Sequence, residues 1–182
     1  MQVTETALAG VLLMRPRPHH DERGLFTRTF DAAIAREHGV DLGPLAQDSQ
    51  SRSRRGVVRG LHGRSGRGEG KLVRCAHGAV LDVVVDIRPG SATFGRSLAV
   101  RLDDEEFVSL WVPPGMLHGF QSLTATADVC YRIDTPHDPA QDLAVRYDDP
   151  DLAIEWPLPV SAVSPRDASA PSWRELLATL RA

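Results

Sequence analysis

Leu81-Asp82-Val83-Val84-Val85-Asp86-Ile87-Arg88-Pro89-Gly90 alternates. Its odd positions, Leu81, Val83, Val85 and Ile87, are all aliphatic, while Asp82 and Asp86 fall on the other side. A period of two is the mark of a strand, because successive side chains point to opposite faces. The segment therefore predicts a half-buried strand with an acidic outer face, ended by Pro89-Gly90. Working outward, similar short runs recur at 11–14, 24–30, 56–62, 71–75, 97–102, 107–112, 128–133 and 143–147. Turn residues separate them, since the 13 prolines and 15 glycines are spread through the whole chain. Many short strands with few helices between them predict an all-β sandwich or barrel.

Helix is scarce. Asp31–His38, followed by Gly39, predicts one short helix with a glycine stop. At the other end, Pro171-Ser172-Trp173-Arg174-Glu175 spells a capping box from Ser172 to Glu175, ahead of Leu176, Leu177 and Leu180. That predicts a C-terminal helix at about 172–181. No repeat or linker interrupts the 182 residues, so one domain over 1–182 is expected. A sheet domain of this size often hides one face in a partner, and a homodimer is expected.

Composition excludes several classes. The chain is 42% hydrophobic and 25% charged, and its net charge of −3 argues against bulk attraction to nucleic acid or an anionic membrane. The two cysteines, Cys75 and Cys130, lack CxxC spacing and predict reduced thiols in a cytoplasmic protein. The apolar run Ala7–Met14 is too short to span a membrane and lacks the basic start of a signal peptide. Among 21 basic residues Lys71 is the single lysine. A GC-rich codon bias explains the arginines but leaves that one exception open.

The densest polar stretch, Arg52 to Arg74, carries seven arginines and Lys71 against one acid, Glu69. It has no aromatic to stack on bases, which favours a local anion site over a nucleic-acid surface. Its Gly63–Gly70 centre has Ser65 and Leu72 where a phosphate loop needs glycine and a hydroxyl, so a flexible hairpin connection is expected there. Pro113-Pro114-Gly115-Met116-Leu117-His118 fits half of a cupin metal signature, but His62-Gly63-Arg64 replaces the HxH pair of the other half. One ligand without a carboxylate makes a poor divalent site, so no metal is expected. His19, His20 and His77 are expected to be solvated. A metal-free set remains: His62, Lys71, Asp82, His118 and Tyr131. Abstraction of a proton beside a carbonyl needs a base, a cation facing the enolate oxygen and an acid to return a proton. Histidine, lysine and tyrosine suit those roles.

Ordered blocks across nearly the whole chain sharpen this. They are DERGLF at 21–26, QDSQSRS at 47–53, VVRGLH at 57–62, KLVR at 71–74 and VLDVVVDIRPGSATFGR at 80–96. They continue with LWVPPGMLHGF at 110–120, Tyr131, RYDDPDLAIEWP at 146–157 and SPRD at 164–167. In these the chain resembles the dTDP-4-dehydrorhamnose 3,5-epimerase family, cupin-fold enzymes acting on dTDP-4-keto-6-deoxy sugars. The resemblance implies a cupin-type jelly-roll barrel with short flanking helices, and an enzyme without metal or cofactor. It implies His62 as base, oriented by Asp167, and Lys71 as the enolate-stabilising cation with Asp82 as its ionic partner. Tyr131 is implied as the proton donor on the opposite face of the sugar, with His118 lining the same pocket. Arg23, Arg59 and Arg166 are implied as contacts to nucleotide and diphosphate, and Phe26 and Gln47 as further substrate contacts.

The departures fall among the recognition positions. Arg28 stands where the family usually has glutamate, and Ser49 where it has asparagine. Gly63 and Arg64 replace an aromatic and a glutamine, His137 replaces the aromatic that stacks on thymine, and Asp142 shortens a glutamate. Chemistry is thus better supported than substrate. Epimerisation at both C3 and C5 is the implied default, with inversion of one carbon, or the same enolate chemistry on another substrate, as alternatives in secondary metabolism. A non-catalytic sugar- or anion-binding cupin is the alternative of another class. Convergence of the candidate residues on one cavity separates it from the enzyme.

Overall fold

The computed structural model of the chain describes residues 1–43 and 46–181. Its strands are β1 (Gln2–Glu5), β2 (Leu12–Arg15), β3 (His19–Asp21), β4 (Gly24–Phe26), β5 (Gln47–Arg54), β6 (Val58–Arg64) and β7 (Lys71–His77). The rest are β8 (Ala79–Asp86), β9 (Ser97–Asp103), β10 (Ser109–Val112), β11 (Met116–Ser122), β12 (Thr126–Ile133) and β13 (Asp142–Ala144). A six-stranded sheet runs β1-β2-β10-β7-β12-β5, and a five-stranded sheet runs β13-β6-β11-β8-β9. The pairings within both sheets are antiparallel. From β5 to β13 every consecutive pair except β8–β9 crosses between the two sheets, which is the jelly-roll arrangement expected of a cupin barrel. β3 and β4 form a separate small hairpin.

The strand from which the fold was read is β8, and it differs from expectation in one respect. It is not half-buried: Asp82 and Asp86 are both fully buried, as are Val80 and Val84. Its even positions Val80 and Val84 join the core between the sheets, with Leu102, Leu110, Met116 and Phe120. Its odd positions Val83 and Val85 pack outward against Leu61, Leu117, Trp173 and Leu176. The outward face is covered because helix α3 (Trp173–Arg181) lies across it. The face that carries the acids therefore looks into the barrel.

Short helices close both outer faces. On the six-stranded sheet, α1 (Ala32–Glu37) brings Ala35 against Leu12, Met14, Leu72 and Trp111. Asp31 caps α1 by accepting from the amides of Ala33 and Ile34, and Gly39 (φ 76°) ends it. α3 opens on the expected capping box: Ser172 N–H donates to Glu175 Oε2 (2.7 Å), and Glu175 N–H donates back to Ser172 Oγ (3.3 Å). A third helix, the single turn α2 (Pro165–Ala168), falls on the SPRD segment.

Several sequence boundaries move. β4 stops at Phe26 and β13 at Ala144, short of the runs to 30 and 147. β10 starts at Ser109, because Phe107 sits at φ 57°, outside the strand region. The Gly63–Gly70 segment is not a hairpin: β6 and β7 belong to different sheets, so it crosses between them. It is also tied down, with Ser65 N–H donating to Gln141 O (2.9 Å) and Gly70 N–H to Asp134 Oδ1 (2.9 Å). His19 and His20 lie on exposed β3 and His77 is exposed at the end of β7. No helix among the described residues is long and apolar enough to cross a membrane.

Candidate active site

The barrel opens into a cavity of about 610 Å³ whose walls come from both sheets. β6 and β11 supply one wall and β5, β7 and β12 the other, with the 134–142 and 162–167 segments at the mouth. Such a volume holds a sugar with part of its nucleotide.

His62 and His118 stand directly opposite one another on β6 and β11, and each is engaged by an aspartate. His62 Nε2 lies 2.7 Å from Asp167 Oδ1, and the other Asp167 oxygen accepts from Gly60 N–H at 3.2 Å. Asp167 is buried, whereas His62 keeps 43% of its side chain exposed to the cavity. A carboxylate accepting the Nε2 proton selects the tautomer whose lone pair is on Nδ1, the arrangement a general base needs. The sequence explains how a residue so far along the chain arrives here. The chain runs back beside β6, where Val58 N–H donates to Ala162 O (3.1 Å). Ser164 then caps α2 by accepting from Asp167 N–H (3.0 Å), fixing the carboxylate one turn later.

His118 is buried, and its Nε2 lies 2.9 Å from both oxygens of Asp82. Its ring meets Tyr131 edge-on at 6.2 Å between centroids. Tyr131 rises from β12 on the opposite wall, with its hydroxyl 3.2 Å from Ser51 Oγ. Burial pushes the phenol well above the ordinary tyrosine value, more than the Ser51 hydrogen bond lowers it. Tyr131 is therefore a protonated donor at neutral pH.

Lys71 corrects one expectation. Its partner is Glu69, at 2.8 Å, and not Asp82, which His118 occupies. Glu69 and Lys71 are two residues apart at the start of an extended segment, so both face the cavity, whereas Asp82 is screened by the imidazole in front of it. The second Glu69 oxygen lies 2.5 Å from Arg64 Nε, so the one carboxylate touches both cations. Arg64 continues to His137 Nδ1 (2.5 Å) and to the carbonyls of Pro136 (3.3 Å) and Asp138 (3.4 Å).

The remaining predicted residues divide. Gln47, Ser49, Arg59, His137, Asp142 and Arg166 line the cavity. Arg59 is propped by Ser53 Oγ (2.9 Å) and by the Arg52 carbonyl (3.2 Å). Burial works against the Asp142 carboxylate, yet its 2.7 Å pair with Arg166 outweighs that and holds it below the usual range. Arg23, Phe26 and Arg28 do not line this cavity. Arg23 pairs with Asp21 and Arg28 with Asp31, each at 2.6 Å, and Phe26 is 72% exposed. Ser51, Arg64 and Glu69 were missed as working residues. Ser51 continues the alternation of Gln47 and Ser49, and Glu69 was legible as the one acid amid seven arginines, two residues from the single lysine.

The cavity thus holds an oriented imidazole, a buried ammonium and a protonated phenol, the last facing the first from the other sheet. Four cations, Arg59, Arg64, Lys71 and Arg166, outnumber the carboxylates Glu69, Asp142 and Asp167 at its walls, which suits an anionic ligand. Proton removal beside a carbonyl, with return on the other face, is the chemistry these groups can perform.

Comparison with known proteins agrees. Residues 5–175 match the family model described as dTDP-4-dehydrorhamnose 3,5-epimerase. A relative of that name from Sinorhizobium fredii is 40% identical over 179 residues, 97% of this chain and 91% of that protein. The crystal structure of a dTDP-6-deoxy-D-glucose-3,5-epimerase from Legionella pneumophila, in complex with dTDP-4-keto-L-rhamnose, superposes with a TM-score of 0.92. It is 40% identical and covers 98% of this chain and 96% of its own. A 3'-monoepimerase from Streptomyces bikiniensis, in complex with dTDP-quinovose, gives 0.86 at 36% identity, covering 95% and 89%.

Proposed function

The chain belongs to the dTDP-4-dehydrorhamnose 3,5-epimerase family of sugar-nucleotide epimerases, and on that premise we propose that it inverts C3 and C5 of a dTDP-4-keto-6-deoxyhexose without metal or cofactor. His62 removes the proton next to the C4 carbonyl while Asp167 holds its ring. The electrons move onto the C4 oxygen, and Lys71 donates to the enolate that forms. Tyr131 returns a proton to the same carbon from the opposite side. The turnover leaves an imidazolium and a tyrosinate, and exchange with solvent restores both. Arg59 and Arg166 face the diphosphate. The observation that carries this reading is the placement of His62 and Tyr131 on opposite sheets of one cavity.

Incubation with dTDP-4-keto-6-deoxyglucose in heavy water tests it, with deuterium expected at both C3 and C5. His62→Ala is expected to lower exchange by about 10²–10⁴-fold, the usual worth of a general base. Wild-type exchange in that variant overturns the assignment. Inversion of one carbon only is a second reading, favoured by the likeness to the Streptomyces bikiniensis monoepimerase and by the changed recognition positions. Label at C3 and none at C5 selects it. A homodimer belongs to the same proposal, supported by the exposed Leu25 and Phe26 on the β3–β4 hairpin. Light scattering of the purified chain reports one or two copies.

A further inference from the structure

Lys71, Glu69 and Arg64 form a buried charge sequence at the reacting end of the cavity. Both cations are less than 10% exposed, and both touch the same carboxylate. A carboxylate that serves one ammonium alone cancels its charge. An ammonium that donates into a neutral acceptor beside a buried guanidinium loses its counter-charge. The trio avoids both, because one negative charge is shared between two cations and leaves one net positive charge at the wall. We propose that Arg64 and Glu69 are a matched pair of positioning residues that set the charge Lys71 presents to the enolate oxygen. Glu69 holds the ammonium in place, and Arg64 draws off part of the Glu69 charge that would otherwise neutralise it. The inference rests on the role of Lys71 in the proposed reaction, and it adds two residues that themselves touch no reacting atom.

The geometry supports a charge-setting role over mere packing. Glu69 Oε1 faces Lys71 at 2.8 Å, while Oε2 has Arg64 Nε at 2.5 Å, so each oxygen serves a different cation. Arg64 therefore acts on that oxygen at contact distance, where its charge lowers the negative potential the carboxylate offers Lys71. Arg64 is anchored independently, by His137 Nδ1 and by the carbonyls of Pro136 and Asp138, so its charge stays put whatever Glu69 does. The other ionisable groups on the cavity side are Arg59 and His62 from β6, Asp167 behind His62, His118 with Asp82 behind it, Tyr131 from β12, and His137, Asp142 and Arg166 at the mouth, with Asp134 held by the Gly70 amide between Glu69 and Lys71. Asp82 is taken up by His118, Asp142 by Arg166 and Asp167 by His62.

The chain has one lysine, so lysine labelled with ¹⁵N at Nζ gives one side-chain ammonium signal, and it belongs to Lys71. Its titration is followed in the full-length protein, without substrate, in the wild type, Glu69→Gln, Arg64→Gln and the double variant. Opposite shifts are expected: the midpoint falls by about one pH unit or more in E69Q and rises by a similar amount in R64Q. The double variant returns to within about half a unit of wild type, as do the charge-preserving R64K and E69D. Loosened packing cannot move the two single variants in opposite directions. In turnover, kcat in R64Q is expected to fall about tenfold and to recover most of that loss in the double variant. Shifts of one sign, no shift in R64Q, or a double variant slower than R64Q overturns the proposal. If E69Q fails to fold, the contrast between R64Q and R64K decides it. Opposite shifts in the two single variants, together with a wild type that leaves the dTDP-sugar untouched, overturn the proposed reaction and leave the pair standing.

Discussion

Lys71→Arg keeps the charge and changes only its shape, so it isolates what a compact ammonium contributes. A planar fork reaching past Glu69 cannot converge on one oxygen in the same way. The variant is expected to lose on the order of 10–100-fold in kcat, with KM little changed, measured by the same deuterium exchange. A second residue-scale outcome concerns the thiols. Burial pushes the Cys75 thiol up to about 12, whereas Cys130 is only half-buried on β12. At pH 8 a thiol reagent is expected to label Cys130 and spare Cys75 in the folded protein, as peptide mass mapping reports. His62, Lys71, His118, Tyr131 and Asp167 could all be picked out in the sequence. The His62–Asp167 pair came with the family resemblance and is present at 2.7 Å, but the partners of Lys71 and His118 could not be read. Asp82 was matched to Lys71 on the strength of the family resemblance, but partner choice depends on which strand stands in front. His118 on β11 sits between Asp82 and the open cavity, and sequence order does not encode that depth.

Elements set how closely these groups approach. β6 and β11 come nearly into contact at Gly60 and Gly119, where a Cβ on Gly60 (φ 125°) would lie 2.6 Å from Gly119 Cα. Gly60→Ala is expected to cost about 1–3 kcal/mol from overpacking, with the left-handed φ adding to it, and thermal unfolding reads this. The Gly60 amide also donates to Asp167, so the same change is expected to slow turnover. At the end of β8, burial opposes ionisation of Asp86, but Arg88, Ser91 and Thr93 outweigh it and hold the carboxyl well below its ordinary value. A depressed folded value stabilises above the unfolded one, near 4, and that contribution is lost as pH falls through the folded value. Urea midpoints are therefore expected to be flat from pH 7 to 5 at this site and to drop in stronger acid, a loss that Asp86→Asn shows at every pH. β8 was legible because its aliphatic alternation is strong. β5 was not: its inward Gln47, Ser49 and Ser51 and its outward Asp48, Gln50 and Arg52 are polar on both sides, so hydrophobic periodicity is silent there. Only the cavity that its inner face borders gives that strand a reason to be polar.

At the scale of the molecule, the covered outer face explains why β8 reads as half-exposed in sequence and is buried at every position but the partly buried Leu81. A helix at each end of the chain covers one sheet, and a local pattern carries no trace of a distant cover. The base depends on the same long reach. Asp167 meets His62 across 105 residues, held by a single serine-capped turn. Ser164→Ala is expected to lower stability by about 1 kcal/mol, the usual worth of such a cap. Its effect on kcat is expected to exceed its effect on KM, because the ring it steadies performs the reaction and does not hold the nucleotide. Among the described residues the last strand ends at Ala144, before that carboxylate is reached. A ribosome thus finishes both walls of the barrel before it makes the residue that aims the imidazole. Competence comes after the walls are complete, and a chain released before Asp167 carries His62, Lys71 and Tyr131 without the carboxylate that points its base.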